Sequence, residues 1–322
     1  NKGMRAMFLM MNEARLLVGM QGLSCASTSY LNAIGYARER VQGKYLLNMM
    51  DKSAPGVPII QHPDVRRQLL TMKAYVEGMR SLLYYVGICG DRSEITDDEA
   101  EKAKYQGLVD VLIPVAKGYV TDRAFEVCSH GVQIYGGYGY IREYPQEQLL
   151  RDCRITMIYE GTNGIQAMDL LGRKLGLNQG KPIMDLMGEI QKTIAAAKGI
   201  EGLNDFGARL ELALNKLGEV AMHMGTTAMS PDVLKAFAFA HPFMEVCGDV
   251  VMAWMLVWRA TLAAKKLADG AKKKDKAFYE GQLKSAEFFI FSILPITFGK
   301  MEAILATSGA AIEISEDGFG GK

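Results

Sequence analysis

The chain has 322 residues, with 37 Lys and Arg against 36 Asp and Glu, a net charge near +1, 49% hydrophobic residues and 23% charged ones. That is apolar material for a sizeable core and more length than one average domain needs. The even charge balance argues against nucleic-acid binding, which calls for a strongly basic face. The one basic run, Lys265-Lys266 and then Lys272-Lys273-Lys274 and Lys276, reads as a solvated helix end. Five scattered cysteines with no C-x-x-C pair give neither a disulfide nor a zinc framework and fit a reducing compartment. His62, His130, His223 and His241 lack ligand spacing, so no metal is expected. No signal peptide opens the chain, and the most apolar run, 288–298, is shorter than the ~20 residues that span a bilayer. A soluble, cytoplasmic protein without a membrane span is the expectation. The chain begins with Asn1 and turns helical almost at once, as expected of a piece of a longer polypeptide.

In chain order, 3.6-residue apolar periodicity predicts helices over roughly 4–41, 63–90, 97–135, 146–152 and 163–176. Val65, Leu69, Met72, Val76, Met79, Leu83 and Val86 form one stripe; Val109, Leu112, Ile113, Ala116, Val120, Ala124 and Val127 form another. The prolines fall at helix starts or in loops. Asn178-Gln179-Gly180-Lys181-Pro182 reads as a helix stop followed by a start. Further helices are predicted over roughly 182–199, 203–229, 231–269 and 275–308. No run alternates with a period of two, so no strand is expected. The chain therefore reads as all-α: an up-and-down helical bundle over 1–178, then a second helical bundle over 179–322 whose acidic, Gly-rich tail frays. Twenty methionines suit helical cores, and Trp254 and Trp258 suit core or subunit packing.

Two segments stand out chemically. Gln133 to Tyr140 contains Gly136, Gly137 and Gly139 at the end of a long helical pattern. Such glycines either close a tight turn or let a ligand such as a pyrophosphate approach the backbone; glycine content alone favours the turn. Further on, Glu160 lies just before Thr162, a good N-cap whose T-x-x-x-Q spacing to Gln166 misses a capping box by one residue. Glu160 is then either a surface carboxylate stabilised by the helix dipole or a base whose pKa is raised by Met157, Ile158 and Tyr159. Spacing does not separate the two.

Residues 133–166 run from Gln133-Ile134-Tyr135-Gly136-Gly137 through Arg151-Asp152 to Tyr159-Glu160-Gly161-Thr162. In this order and spacing they resemble the most characteristic stretch of the acyl-CoA dehydrogenase family. The first helix, residues 12–43 with Arg15 and Arg40, is similar to the first helix of that family's C-terminal bundle. The resemblance covers residues 1 to about 178, and departs where Gln42-Gly43 replaces the usual aromatic-glycine pair. The loop after Gly43, the His62-Pro63-Asp64 helix start and the helical extension resemble a subgroup that includes the methylthiopropanoyl-CoA dehydrogenases.

The resemblance implies an FAD-dependent oxidoreductase that removes hydrogens from the α and β carbons of an acyl-CoA and passes electrons to electron-transfer flavoprotein. It implies Glu160 as base, with its backbone N–H on the thioester carbonyl. Arg15, Tyr159 and Gly161 would face substrate. Arg40, Gln133, Gly136, Gly137 and Thr162 would contact FAD, partly across a homodimer interface. Some relatives carry the base immediately before the arginine matched by Arg15; here that position is Ala14, with Glu13 one residue back as a weaker alternative. The family's N-terminal helical and middle β domains are not in this sequence, so the chain alone is expected to lack a working flavin site. An acyl-CoA oxidase on the same fold, or a non-catalytic helical interaction module, are the other readings.

Overall fold

The computed structural model describes residues 3–321, with the side chains of residues 4–6, 8 and 9 outside the description. The first helix, α1 (Gly3–Glu39), spans 37 residues, about 55 Å at 1.5 Å per residue. A small antiparallel hairpin follows, β1 (Val41–Lys44) and β2 (Gly56–Pro58), with Val41 opposite Pro58. Neither strand buries a face and β1 contains Gly43 at positive φ, so no two-residue alternation marked it in the sequence.

Next come α2 (Pro63–Ile95), with Pro63 in its first turn, and α3 (Glu99–Pro114), whose N-cap Asp98 accepts from the amides of Ala100 and Glu101. Beyond Pro114 the rod continues through a π-helical turn, Val115–Tyr119, into α4 (Val120–Tyr135). Pro114 has no N–H to donate, and the rod widens there instead of breaking: the amide of Val120 reaches the carbonyl of Val115, five residues back. Two short helices, α5 (Gly137–Tyr140) and α6 (Gln146–Arg154), lead to α7 (Asn163–Asp169) and a second π turn, Leu170–Lys174.

Asn178 and Gln179 both turn left-handed before α8 (Lys181–Lys198), where the stop-start pattern was predicted. The extension continues with α9 (Asn204–Ala228), α10 (Val233–Ala238), α11 (Ala240–Ala268) and α12 (Lys273–Phe288). A third π turn, Phe289–Ile293, joins α12 to α13 (Leu294–Ala306), and α14 (Ala310–Glu313) ends in an exposed tail; Lys322 lies outside the described residues. The single helix expected over 231–269 is divided at Phe239, because Pro242 in the first turn of α11 cannot donate back into α10.

Helices α1, α2 and the α3–α4 rod pack side by side, with α6 across α1 and α4. Helix α11 is the spine of the extension, packed on α2, α8, α9, α12 and α13. Its Val246, Met252 and Leu256 share one apolar core with Met72, Met79 and Leu112 from the first bundle. Each such side chain withdrawn from water contributes roughly 1.5–3 kcal/mol. Trp254 is fully buried and donates to Thr193 Oγ1 at 2.8 Å, whereas its stacked neighbour Trp258 is 40% exposed. Among the described residues, two helices are long and apolar enough to cross a membrane, Ala240–Ala268 and the continuous Lys273–Ala306; the first is this core spine.

Candidate active site

Glu160 lies in the connection from α6 to α7. After α6 a 3-10 turn, Ile155–Met157, closes through the amide of Ile158 on the carbonyl of Ile155 at 2.9 Å. The chain then enters the left-handed region twice in succession, at Glu160 with φ 54° and Gly161 with φ 84°. For a glutamate this conformation costs on the order of 1–2 kcal/mol, so the surroundings must hold it. Thr162 ends the turn as N-cap of α7, accepting from the amide of Ile165 at 3.3 Å.

The loop is held from below. Gln166 is completely buried and its Nε2 donates to the carbonyls of Glu160, at 3.4 Å, and Gly161, at 3.3 Å. That contact explains the missed capping box: the glutamine holds the left-handed turn instead of the N-cap. A Cβ on Gly161 would stand 2.7 Å from that Nε2, so glycine is required by both space and backbone angle. Arg15, buried on α1, pairs with Asp169 at 3.2 Å and lies under Gly161. The Tyr159 hydroxyl hydrogen-bonds Gln21 Oε1, tying the loop sideways to α1. The Glu160 side chain itself is exposed, and no hydrogen bond or ion pair ties its carboxylate among the described residues.

Asn163, the first residue of α7, is a second buried anchor. Its Oδ1 accepts from Lys117 Nζ at 2.8 Å, while its Nδ2 donates to the carbonyl of Gly118 at 3.0 Å and to Asp122 Oδ1 at 2.8 Å. Lysine only donates and carboxylate only accepts, so these partners set the amide's orientation. Lys117 is wholly buried, and burial lowers its pKa to about 8. His241 Nε2 meets the other Asp122 oxygen at 3.0 Å, and that bond raises the histidine's pKa.

The remaining expected contacts gather elsewhere. Arg40, Gln133, Gly136 and Gly137 line one groove of about 890 Å³ together with Tyr36, His62 and Tyr138. The space around Gly136 and Gly137 is open, with no heavy atom within 4 Å of where a Cβ would stand. A cation, a carboxamide and a glycine turn with free approach to the backbone suit a pyrophosphate linked to a nucleoside. Thr162 is not in this groove; it stands at the Glu160 loop. Gln21 at the loop and Tyr36 in the groove are fifteen positions apart on α1, about 22 Å.

Sequence reasoning passed over Asn163, Lys117, Asp122, Gln21 and His241. One signal was legible: Lys117 falls on the apolar face of its helix, four residues after Ile113 and three before Val120. A lysine there must find a buried partner.

Comparison with known proteins gives the class. Residues 1–175 match the acyl-CoA dehydrogenase C-terminal domain, and residues 186–315 match the family described as acetyl-CoA dehydrogenase C-terminal like. The chain belongs to the acyl-CoA dehydrogenase family. It is 34% identical to the broad-specificity linear acyl-CoA dehydrogenase FadE5 of Mycobacterium tuberculosis, over 99% of this chain and 53% of that protein. It is 40% identical to a 3-methylmercaptopropionyl-CoA dehydrogenase of Ruegeria pomeroyi, over 91% of this chain and 49% of that protein. The fold matches an acyl-CoA dehydrogenase of Bacillus anthracis complexed with FAD, with a TM-score of 0.69 at 22% identity, over 98% of this chain and 51% of that one. The chain thus spans about half the length of the curated relatives it matches.

Proposed function

We propose that this chain supplies the base and part of the cofactor site of an FAD-dependent acyl-CoA dehydrogenase, with Glu160 taking the α-proton of an acyl-CoA thioester. The observation that carries this reading is an exposed, unpaired carboxylate on a left-handed turn that buried polar groups hold in place. A surface carboxylate stabilised by the helix dipole would need neither the strained turn nor the buried props.

The thioester α-proton is too weak an acid for a free carboxylate, so charge developing on the carbonyl oxygen must be stabilised as it forms. The backbone N–H of Glu160 is the group in this chain that would donate to it. Gly161 lets the thioester pass close to the main chain, and Tyr159 lines the acyl side. The hydride acceptor for the β-hydrogen would be supplied by FAD when bound. Arg40, Gln133, Gly136 and Gly137 would hold its adenosine diphosphate half, and Thr162 its flavin side. The length of α1 between groove and loop favours a homodimer in which one protomer's groove serves its partner's Glu160. Electrons would leave to electron-transfer flavoprotein.

The test is Glu160→Gln in the complete gene product. Exchange of the substrate α-proton with solvent is expected to fall about 10²–10⁴-fold while bound FAD stays at its wild-type level. Wild-type exchange in that variant rules the assignment out.

A further inference from the structure

We propose that the C-terminal extension positions the Glu160 loop, acting through the π-helical turn Val115–Tyr119 and the amide of Asn163. The functional consequence rests on the reading of Glu160 as base; the structural coupling does not.

The turn has two working sides. On one, Lys117 Nζ and the Gly118 carbonyl grip Asn163, the residue that starts α7 immediately after the Glu160-Gly161-Thr162 turn. On the other, the extension takes hold of the same few residues. Tyr119 lies flat on α11, where a Cβ at Gly248 would stand 2.1 Å from its ring, and its hydroxyl donates to Asp249 Oδ1 at 2.7 Å. The second Asp249 oxygen accepts from Thr297 and Lys300 of α13, at 3.0 and 3.2 Å. Met244 of α11 seats its thioether against Gly118, where an added Cβ would stand 2.6 Å from the sulfur. One turn further on, Arg123 pairs with Glu245.

His241 closes the connection. It lies in the first turn of α11 and bonds Asp122 Oδ2, while Asp122 Oδ1 accepts from Asn163 Nδ2. Asp122 is therefore a bridge with one oxygen on the extension and one on the loop anchor. The side chain of Asp122 is only 13% exposed, so its two partners are its main source of fixed geometry. Losing His241 lets the carboxylate rotate, and Asn163 Nδ2 then loses its charged acceptor and keeps only the Gly118 carbonyl and Thr121 Oγ1, at 3.0 and 2.9 Å. Asn163 cannot relax alone, because its backbone continues directly into the strained turn that carries Glu160.

His241 and Asn163 are positioning residues here; neither touches a reacting atom. The alternative is that these bonds serve only to join two bundles, which would make their loss a matter of overall stability. Hydrogen–deuterium exchange separates the two. In the complete gene product, His241→Leu is expected to speed amide exchange of residues 159–166 about fivefold relative to the core amides of α11. His241→Gln, which keeps a donor at a similar reach, restores protection. In His241→Leu the α-proton exchange rate falls while the Kd for acyl-CoA stays within about twofold. Should His241→Leu give no folded protein, Met244→Leu, which takes the thioether off Gly118, carries the same measurement.

Unchanged relative protection of the loop, or a thermal midpoint that drops with loop and core loosened alike, overturns the proposal. A looser loop with substrate proton exchange unchanged refutes the positioning role and keeps only the contact. If Glu160→Gln retains proton exchange while His241→Leu loosens the loop, the base assignment fails and the coupling stands.

Discussion

Arg15 and Asp169 form a buried pair beneath the Glu160 loop, with side chains 9% and 6% exposed and a 3.2 Å contact. Their environments are unequal. Asp169 has a second cation, Arg173, at 3.4 Å, whereas no second carboxylate pairs with Arg15 among the described residues; Arg15 Nε and Asp169 Oδ1 are each buried without a hydrogen-bond partner. Removing one member of a buried pair costs about 3–5 kcal/mol when the other is stranded. Asp169→Leu strands Arg15 and should cost about 4 kcal/mol. Arg15→Leu leaves Asp169 with Arg173 and should cost about 2 kcal/mol. The double Leu variant strands neither and should lie within about 1 kcal/mol of wild type. Thermal denaturation of the complete gene product reads this order, at roughly 2 °C per kcal/mol. The same variants decide what Arg15 does. If it supports the loop, both single substitutions slow α-proton exchange and leave acyl-CoA affinity close to wild type. If it contacts substrate, Arg15→Leu alone weakens acyl-CoA binding. Equal losses of stability in the two single variants, or a double variant as unstable as Asp169→Leu, would refute the reasoning.

Two further outcomes concern the seam between the bundles. Gly248→Ala drives a methyl group into the Tyr119 ring, which is fully buried and fixed at its hydroxyl by Asp249; a loss of about 3 kcal/mol is expected, and an unchanged thermal midpoint would show that the ring has room to move. Lys117 has its pKa lowered from 10.5 to about 8 by burial. The folded state therefore binds fewer protons than the unfolded state above pH 8, and the cost of holding the ammonium is relieved as pH rises towards 10.5. Wild type should gain on the order of 1 kcal/mol over Lys117→Met between pH 8 and pH 9, read as the pH dependence of the difference in thermal midpoint; a flat difference would refute the assignment.

The long helices were legible because each buries one stripe over many turns. The stripe from Val65 to Val86 lies on α2, and most of its members are buried. The hairpin of β1 and β2 was not legible, because strands that bury no face carry no alternation. Glu160 attracted notice through a local run, Tyr159-Glu160-Gly161-Thr162, and a local run is what a sequence displays. What lies beneath it is non-local. Lys117 meets Asn163 across 46 positions and His241 meets Asp122 across 119. No periodicity links such residues; only the folded path of the rod brings them to one place.

The π turns escape sequence reading for a related reason, and they matter to how the two bundles join. Each inserts one extra residue, which rotates the following helix by about 100° without changing the kind of residue that faces the core. All three lie where the first bundle meets the extension. Val115–Tyr119 receives Met244 and α11; Gly172, in Leu170–Lys174, lies against Phe237 of α10; Phe289, which opens Phe289–Ile293, meets Tyr75 of α2 edge-on at 5.8 Å. A straight α-helix keeps its contact face in line along its length. A rod that must serve the first bundle along one stretch and the extension along the next needs its face turned partway, and one inserted residue does that without a break in the helix. The extension is therefore built into the geometry of the first bundle, and the turn that holds Asn163 is one of the places where it is built in.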